Sequence, residues 1–386
     1  MNTYIVEKKV LREALRGSAH SLVRRPPFPI LQAIALSFDV EGVLVAEGAD
    51  VERSSQHFLT HNSHDLGTLV VPVRWLRAVS SGAGSVIIEH DDTNGKASVG
   101  GEATGTLQYR DFPTPHMDDA VTQDILHIPA EEFRRAAQAI GPFAALDYPF
   151  DHPDRLTAVR VVDEGANIRW EATDGRKAAW TKLRDYTQAR ISFSEVLLPA
   201  DDLSAFVKAM PTRATDVLIQ RLDNGRVVLK CHDLCWAVRR VDPAGHAPNI
   251  QACVPGALDQ TNFLRVKNPA EMAETLTDFR FNPEDPKWAI IHNSIGYCTL
   301  ALDGRLRVLN GDHELAEGLN ISFHPANLLR VLETTMEKGS EYWCLRCHAD
   351  PLRVTTASGN GVTCLLMPVR LHENASTPKK KKETRK

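Results

Sequence analysis

The chain has 386 residues, 43% hydrophobic and 24% charged, ordinary proportions for a soluble globular protein. No apolar run is long enough to span a bilayer, and the opening Met-Asn-Thr-Tyr-Ile-Val-Glu-Lys-Lys has no secretory h-region, so a cytoplasmic protein with seven reduced cysteines is expected. The net charge is −4, but the last eight residues, Lys379 to Lys386, sum to +5 and leave −9 for the body; this excludes nucleic-acid binding by bulk charge and requires a local basic face.

Residues 1–121 form a first unit. Tyr4-Ile5-Val6 reads as a strand, followed by a helix with Val10, Leu11, Ala14 and Leu15 inward and Gly17 at its end. Arg24 to Pro29 is an extended linker, since its prolines forbid helix. Ile34–Val40 and Val43–Glu47 flank the turn Glu41-Gly42 as a hairpin. Leu69-Val70-Val71-Pro72 then leads into a helix with Trp75, Leu76 and Val79 inward. Strand Ser85–His90, the turn Asn94-Gly95 and strands to about Tyr109 follow.

Residues 122–257 repeat the plan. Ile125–Pro129 opens a helix with Phe133, Ala136, Ala137 and Ile140 inward; Leu156–Val162 and Ile168–Thr173 flank Asp163-Glu164-Gly165. Val196-Leu197-Leu198-Pro199 leads to Leu203, Phe206, Val207 and Met210, then to strands around Asp223-Asn224-Gly225. Residues 258–371 do so again. A helix after Asn268-Pro269 carries Met272, Leu276 and Phe279, and a hairpin turns at Asp303-Gly304. Ile321-Ser322-Phe323-His324-Pro325 then opens a helix with Leu328, Leu329, Leu332 and Met336 on one face, and Val362–Val369 closes the unit. Residues 372–386 have no apolar pattern and read as a disordered basic tail.

Pro72, Pro199 and Pro325 recur at intervals of 127 and 126 residues. The repeat is therefore a strand, a helix and about three strands, written six times, twice per domain. One such copy cannot bury its apolar faces alone, so two share a core of two helices against two sheets. The fold class is α+β.

Catalytic signatures are absent: no Gly-x-Ser-x-Gly, no His-Glu-x-x-His and no Rossmann glycine fingerprint. Asn94-Gly95-Lys96-Ala97-Ser98 resembles the end of a P-loop without its upstream glycine, and reads as a hairpin turn. The pairs Cys231/Cys235 and Cys344/Cys347 could supply zinc thiolates, but both lie in strand-like segments, where a spacing of three puts Cys344 and Cys347 on opposite faces; buried thiols and no metal are expected. A haem attachment at Cys344-Leu-Arg-Cys347-His348 would need an exported protein. The helices carry Lys8, Lys9, Arg12, Arg16, Arg74, Arg77, Arg134, Arg135, Lys208 and Arg330. On one concave surface they would track phosphates without reading sequence, although Asp201, Asp202, Glu271 and Glu274 weaken that lining.

Several local motifs carry a resemblance: Arg25-Pro26-Pro27-Phe28-Pro29-Ile30-Leu31, Asp111-Phe112-Pro113, Ala172-Thr173-Asp174-Gly175-Arg176-Lys177 and the ending Leu366-Met367-Pro368-Val369-Arg370-Leu371. With the sixfold plan, they make residues 1–371 resemble the bacterial sliding clamp, the beta subunit of DNA polymerase III. The resemblance implies three clamp domains in a head-to-tail homodimeric ring around duplex DNA, with helices inside and antiparallel sheets outside. Such a ring is not an enzyme and needs no cofactor. It tethers the polymerase III alpha subunit and other clamp-binding-motif proteins, is opened by a clamp loader, touches no membrane and sits with the nucleoid. Partner peptides would enter a pocket between the second and third domains. Carried over by motif, that pocket holds Leu156, Thr173, Gly175, Arg176, Lys177, Ala178, Pro248, Cys253, Leu365, Met367, Pro368, Val369 and Arg370. Arg25 and Arg74 match DNA-facing positions, to which the helix faces add Lys8, Arg12, Arg77, Arg134, Arg135 and Arg330. Two departures stand out. The family's Gly-His-Arg-Leu is Gly175-Arg176-Lys177-Ala178 here, and its Arg-Phe-Pro-Asp-Tyr is His246-Ala247-Pro248-Asn249-Ile250. They imply altered peptide preference, and an alternative role as a divergent clamp-fold paralogue serving as a protein-interaction scaffold.

Overall fold

The structure is a computed structural model. It describes residues 2–22, 28–38, 43–50, 52–60, 68–91, 96–99, 102–105, 112–113, 121–145, 154–183, 193–239, 241, 249–254, 262–278, 289–294, 297–302, 305–309, 311–313, 320–347 and 355–368. The turns at Asn94-Gly95 and Asp303-Gly304, and the tail, lie outside these residues.

The first pair of repeats runs β1 (Asn2–Glu7), α1 (Lys8–Ser18), β2 (Ala33–Phe38), β3 (Val43–Ala49), β4 (Ser54–Thr60), β5 (Thr68–Pro72), α2 (Val73–Val79), β6 (Ser85–Asp91), β7 (Lys96–Val99) and β8 (Glu102–Gly105). The second runs β9 (Val121–Pro129), α3 (Ala130–Ile140), β10 (Ala158–Asp163), β11 (Ile168–Thr173), β12 (Lys177–Leu183), β13 (Glu195–Pro199), α4 (Ala200–Ala209), β14 (Asp216–Leu222), β15 (Val227–Cys231) and β16 (Leu234–Ala237). The third runs β17 (Asn262–Lys267), α5 (Pro269–Asp278), β18 (Ala289–Ser294), β19 (Tyr297–Leu302), β20 (Arg305–Leu309), a short β21 (Gly311–His313), β22 (Asn320–Phe323), α6 (Pro325–Thr335), β23 (Tyr342–Cys347), β24 (Thr355–Gly359) and β25 (Val362–Leu366). Apart from β21, this is one strand, one helix and three strands, six times over. Lys96 opens a strand paired to Asp91, not a phosphate loop. No helix among the described residues is long and apolar enough to cross a membrane.

The chain divides into two compact units, Met1–Trp170 with Leu183–Gly245, and Glu171–Lys182 with His246–Lys386. In the first unit, β1-β6-β7-β8 form a four-stranded sheet. A larger eight-stranded sheet has the order β5-β2-β3-β4-β16-β15-β14-β9. The seam between the first and second repeat pairs is β4 against β16, with His57 opposite Leu234 and Ser54 opposite Ala237. Leu11, Ala14 and Leu15 of α1, Leu76 of α2, Ile34 and Leu44, and Val86 and Ile88 meet in one core between the two sheets. Phe112, from the Asp-Phe-Pro motif, packs into a second cluster with Ala33, Ala35, Ala49 and Val70. Around α3 and α4 the core is aromatic. Trp170, Phe133, Phe206 and Trp236 form a chain of edge-to-face contacts with centroids 5.3, 5.6 and 6.1 Å apart, each worth about 1 kcal/mol beyond area burial.

A buried charge spans the same seam. Asp202, in the first turn of α4, is fully buried and accepts hydrogen bonds from Arg53 Nη1 at 3.0 Å and the Arg239 backbone N–H at 2.7 Å. Arg53 Nε also donates to Asp50 Oδ2 at 2.8 Å. Burial pushes the Asp202 carboxyl up to about 6, and Arg53 pulls the other way. Burial disfavours the Arg53 cation, but Asp202, Asp50 and Asp201 outweigh it and hold its pKa above the ordinary value. Two N–H donors, one of them the Arg53 guanidinium, favour the carboxylate form of Asp202.

In the second unit, β12-β25-β24-β23-β17-β21 are consecutive neighbours in one sheet, and β20-β19-β18-β22 form another. The β24–β25 hairpin turns at Asn360-Gly361, both with positive φ (52° and 72°), as a tight right-twisted hairpin requires. Asn360 Nδ2 donates to the Met336 carbonyl at 2.8 Å, satisfying an orphan acceptor beyond the end of α6.

Three expectations need correction. Gly17 does not end α1, which runs to Ser18; a Cβ there would lie 2.3 Å from His57 Nδ1, so this glycine serves a close approach. On α6 the buried residues are Pro325, Leu328, Val331, Leu332 and Thr335, so Val331 and Thr335 replace Leu329 and Met336. Thr335 belongs there because its hydroxyl accepts from the buried Trp343 Nε1 at 2.8 Å. The closing strand β25 ends at Leu366, short of Val369.

Gly359 gives a direct test of how tightly β24 meets α6. A Cβ at this position would fall 1.8 Å from the Thr335 carbonyl oxygen, a backbone atom that cannot swing aside. Gly359→Ala is expected to lower stability by about 1–3 kcal/mol, read as a shifted urea midpoint at unchanged slope.

Candidate functional site

The segment Thr173–Ala178 makes a compact turn. Gly175 has φ +84°, open to glycine at no steric cost. Asp174 Oδ1 accepts the backbone N–H groups of Arg176 and Lys177 at 2.8 and 2.9 Å, and Lys177 Nζ bonds Asp174 Oδ2. Thr173 Oγ1 donates to the Lys177 carbonyl at 2.8 Å and accepts from Gly175 N–H at 3.0 Å. The Asp and Thr of the motif therefore build the turn, leaving Gly175 and Arg176 exposed.

Strand β12 pairs antiparallel with β25, placing Lys177 opposite Leu366 and Ala178 opposite Leu365. The Met367 N–H donates to the Arg176 carbonyl at 3.0 Å, carrying the ladder one residue past β25. Ala178 and Leu365 form an apolar cluster with Ile250, and Trp180 and Val254 pack against it. Met367 is half exposed beside Pro368. Cys253 is exposed on a one-turn 3₁₀ segment, its Sγ 3.6 Å from the Asn249 carbonyl. Of the thirteen expected pocket residues, Thr173, Gly175, Arg176, Lys177, Ala178, Leu365, Met367 and Pro368 thus sit on one turn and one strand pair. Leu156 is buried in the other unit, its carbonyl bonded to Ala145 N–H at 2.7 Å. Pro248, Val369 and Arg370 lie outside the described residues.

Sequence reasoning missed three residues here. Trp180 carried no motif signal, although it follows Ala178 by two and so shares its strand face, and Ile250 ended a quoted motif without being singled out. The third is His324, just before α6. Burial lowers its pKa below the ordinary histidine value, and the cations Arg176 and Lys177 lower it further against Asp174.

The basic helix residues divide into two kinds. Lys8 Nζ donates to the Ser81 carbonyl at 3.0 Å, and Arg12 Nη1 to the Ser80 and Gly82 carbonyls at 2.6 Å each. Both side chains brace the end of α2. Arg134 and Arg135 pair with Glu131 and Glu132 one turn back, and Arg330 with Glu333 at 3.2 Å. Arg74 and Arg77 are exposed on α2 with no ion pair among the described residues. Arg25 lies outside those residues.

The thiols are ordinary where described. Cys231 sits opposite Leu234 and shares its face, so Cys235 points to the other side of the hairpin. Burial pushes Cys231 up to about 12, and Cys235 and Cys364 upward too. Among the described residues no group of three or more His, Cys, Asp or Glu is placed to hold a metal.

No family model matches the chain. It is 27% identical over 209 residues to the beta sliding clamp homolog GriR of Streptomyces muensis, and 28% identical over 210 residues to the beta sliding clamp of Streptomyces coelicolor. Each match covers 53% of this chain, which spans about half the length (54%) of these curated relatives. The structure of a DnaN sliding clamp from Bartonella birtlesii, bound to griselimycin, superposes with a TM-score of 0.81 at 17% identity, covering 96% of this chain and 99% of that one. The class is therefore settled at the level of fold: this is the DNA sliding-clamp architecture. Within it, the chain is similar in sequence, over about half of its length, to the bacterial beta sliding clamps just named.

The charge arrangement at the turn predicts a titration. Arg176→Gln removes a cation facing His324, so the His324 midpoint should rise toward the ordinary value. Two-dimensional NMR of the imidazole across pH 4–8 reads it, and an unchanged midpoint would show that Arg176 exerts no field there.

Proposed function

We propose that this chain is the subunit of a DNA sliding clamp, a homodimeric ring that holds replication enzymes on duplex DNA. The observation carrying this reading is the strand–helix–three-strand plan, repeated six times and superposable on sliding clamps over 96% of the chain. On this reading residues 1–121, 122–257 and 258–371 are the three clamp domains. The action is topological, so the protein makes and breaks no covalent bond. Arg74 and Arg77 supply exposed cations for phosphate tracking, with Arg25 as a third contact. Lys8, Arg12, Arg134, Arg135 and Arg330 add to the local field while serving their own structural partners. The apolar cluster at Ala178 and Leu365, rimmed by Arg176, Met367 and Cys253, accepts short peptides of the polymerase alpha subunit, the clamp loader and other partners. Apolar anchoring with a polar rim suits such recognition.

A second reading has a specific observation behind it. Ala178 stands where the clamp pattern carries leucine, next to Arg176-Lys177 in place of His-Arg. A paralogue with changed peptide preference, acting as a scaffold, fits that replacement.

Retention on DNA separates the two. Loaded by its cognate loader onto nicked circular DNA, a clamp stays bound through gel filtration and is released when the circle is linearised. The chain is expected to do so, and to sediment as a dimer at micromolar concentration. A monomer that never remains on circles would remove the clamp reading, while peptide binding alone would favour the scaffold. In the same assay, Arg74→Ala and Arg77→Ala should each weaken DNA contact equally across sequences and reduce the salt slope by about 1.

A further inference from the structure

One sheet face runs without interruption from the apolar cluster into a second, polar cavity. Ala178 on β12 lies opposite Leu365 on β25, Leu365 opposite Thr356 on β24, and Thr356 opposite Arg346 on β23. Directly opposed residues project on the same side of a sheet. The row therefore grades from apolar at Ala178 and Leu365, through a hydroxyl, to a guanidinium. A second row runs beside it: Trp180 opposite Thr363, and Thr363 opposite Ser358, with the two hydroxyls 3.2 Å apart. Beyond β23, Arg265 on β17 lies opposite Cys344 and stacks over the Tyr342 ring, 4.1 Å from its centroid.

Over the polar half of this face is a cavity of about 260 Å³, lined by Val254, Cys344, Arg346, Thr356, Ser358 and Thr363. Among the described residues its lining includes a cation and hydroxyls but no carboxylate. Val254 also packs against the apolar cluster, so the two share a wall. From Leu365 to Arg346 is two strand spacings, roughly 10 Å, which about three residues of extended peptide cover.

We infer that this cavity is a second subsite for the partner peptide. It takes a carboxylate, from Asp, Glu or a chain terminus, about three residues from the apolar anchor, and pairs it with Arg346. A guanidinium forks onto a carboxylate through two N–H groups, and Thr356, Ser358 and Thr363 bind the peptide's remaining polar atoms. The inference rests on the proposed reading of the Ala178–Leu365 cluster as the peptide pocket. It adds a preference: partners with an acidic flank are favoured over partners with a neutral one. That preference offsets part of the anchoring volume lost with Ala178.

Fluorescence anisotropy on the full chain tests it. The probes are a labelled peptide with a Leu-Phe anchor and versions extended by Gly-Ser-Asp-Asp or Gly-Ser-Asn-Asn, at either end in turn. At low ionic strength the Asp extension should bind about fivefold tighter than the Asn extension at one of the two ends. The advantage should vanish in Arg346→Gln, which still binds the unextended anchor as the wild type does. It should also vanish in the wild type at 1 M NaCl, a measurement that needs no variant. Equal binding of the Asp and Asn probes at both ends, or an advantage that survives both Arg346→Gln and high salt, overturns the inference. Failure of the unextended anchor to bind would instead overturn the pocket reading beneath it.

Discussion

The candidate pocket exists because Lys177–Thr181 pairs with Val362–Leu366. The Thr181 hydroxyl, bonded to the Gly361 carbonyl at 2.9 Å, joins residues 180 positions apart in the chain. That pairing brings Ala178 against Leu365 and sets the Asp174 turn beside the exit of the last strand. The turn is rigid for a reason internal to it: one carboxylate satisfies two backbone donors and a lysine. Side-chain oxygens that take over backbone donors in this way fix a loop as helix caps fix a helix end. The charged rim is therefore preorganised, and apolar burial at Ala178, Leu365 and Ile250 supplies the floor. Binding to such a surface loses little freedom in the protein itself.

A comparable role falls to Asp202 in the first unit. Removing one partner of a buried pair costs about 3–5 kcal/mol, because it strands the other charge. Arg53 lies between β3 and β4, and Asp202 lies on α4, so the pair joins the first repeat pair to the second where β4 meets β16. Hydrophobic contact could hold these layers together without choosing one arrangement. A buried carboxylate needing two particular N–H donors restricts that choice, from Arg53 on one side and the Arg239 backbone on the other. The same logic explains the fate of the basic helix residues. Lys8 and Arg12 donate to the carbonyls of Ser80, Ser81 and Gly82 just past α2. The solvent-facing arginines of that helix are then Arg74 and Arg77.

Most of the fold was legible because its signals are local. Spacing of three and four marked the buried faces of α1 and α3 and the buried Met272 and Leu276 of α5 (Phe279 lies outside the described residues), and Ile168–Thr173 and Tyr297–Leu302 were bounded correctly by turn residues. The errors were also physical. Gly17 has the composition of a helix stop, but the ring of His57, forty residues on, needs its missing side chain. Thr335 reads as polar surface until Trp343 provides a donor for its hydroxyl. Ile250 and His324 were not singled out for the site, because each reaches it from a separate stretch of chain, and Trp180 joined it through the alternation of β12.

By itself, the sequence determined the repeat, most of the buried helix positions and the motif that turns at Gly175. These depend on residues within a few positions of one another, where periodicity and backbone preference act directly. The tertiary structure decided which lysines and arginines are occupied, which carboxylate is buried, and that Ala178 meets Leu365 on a sheet face leading to Arg346. Those outcomes depend on strand register and on contacts between distant segments. A shift of one residue in register would turn every side chain to the opposite face, and no local pattern encodes that.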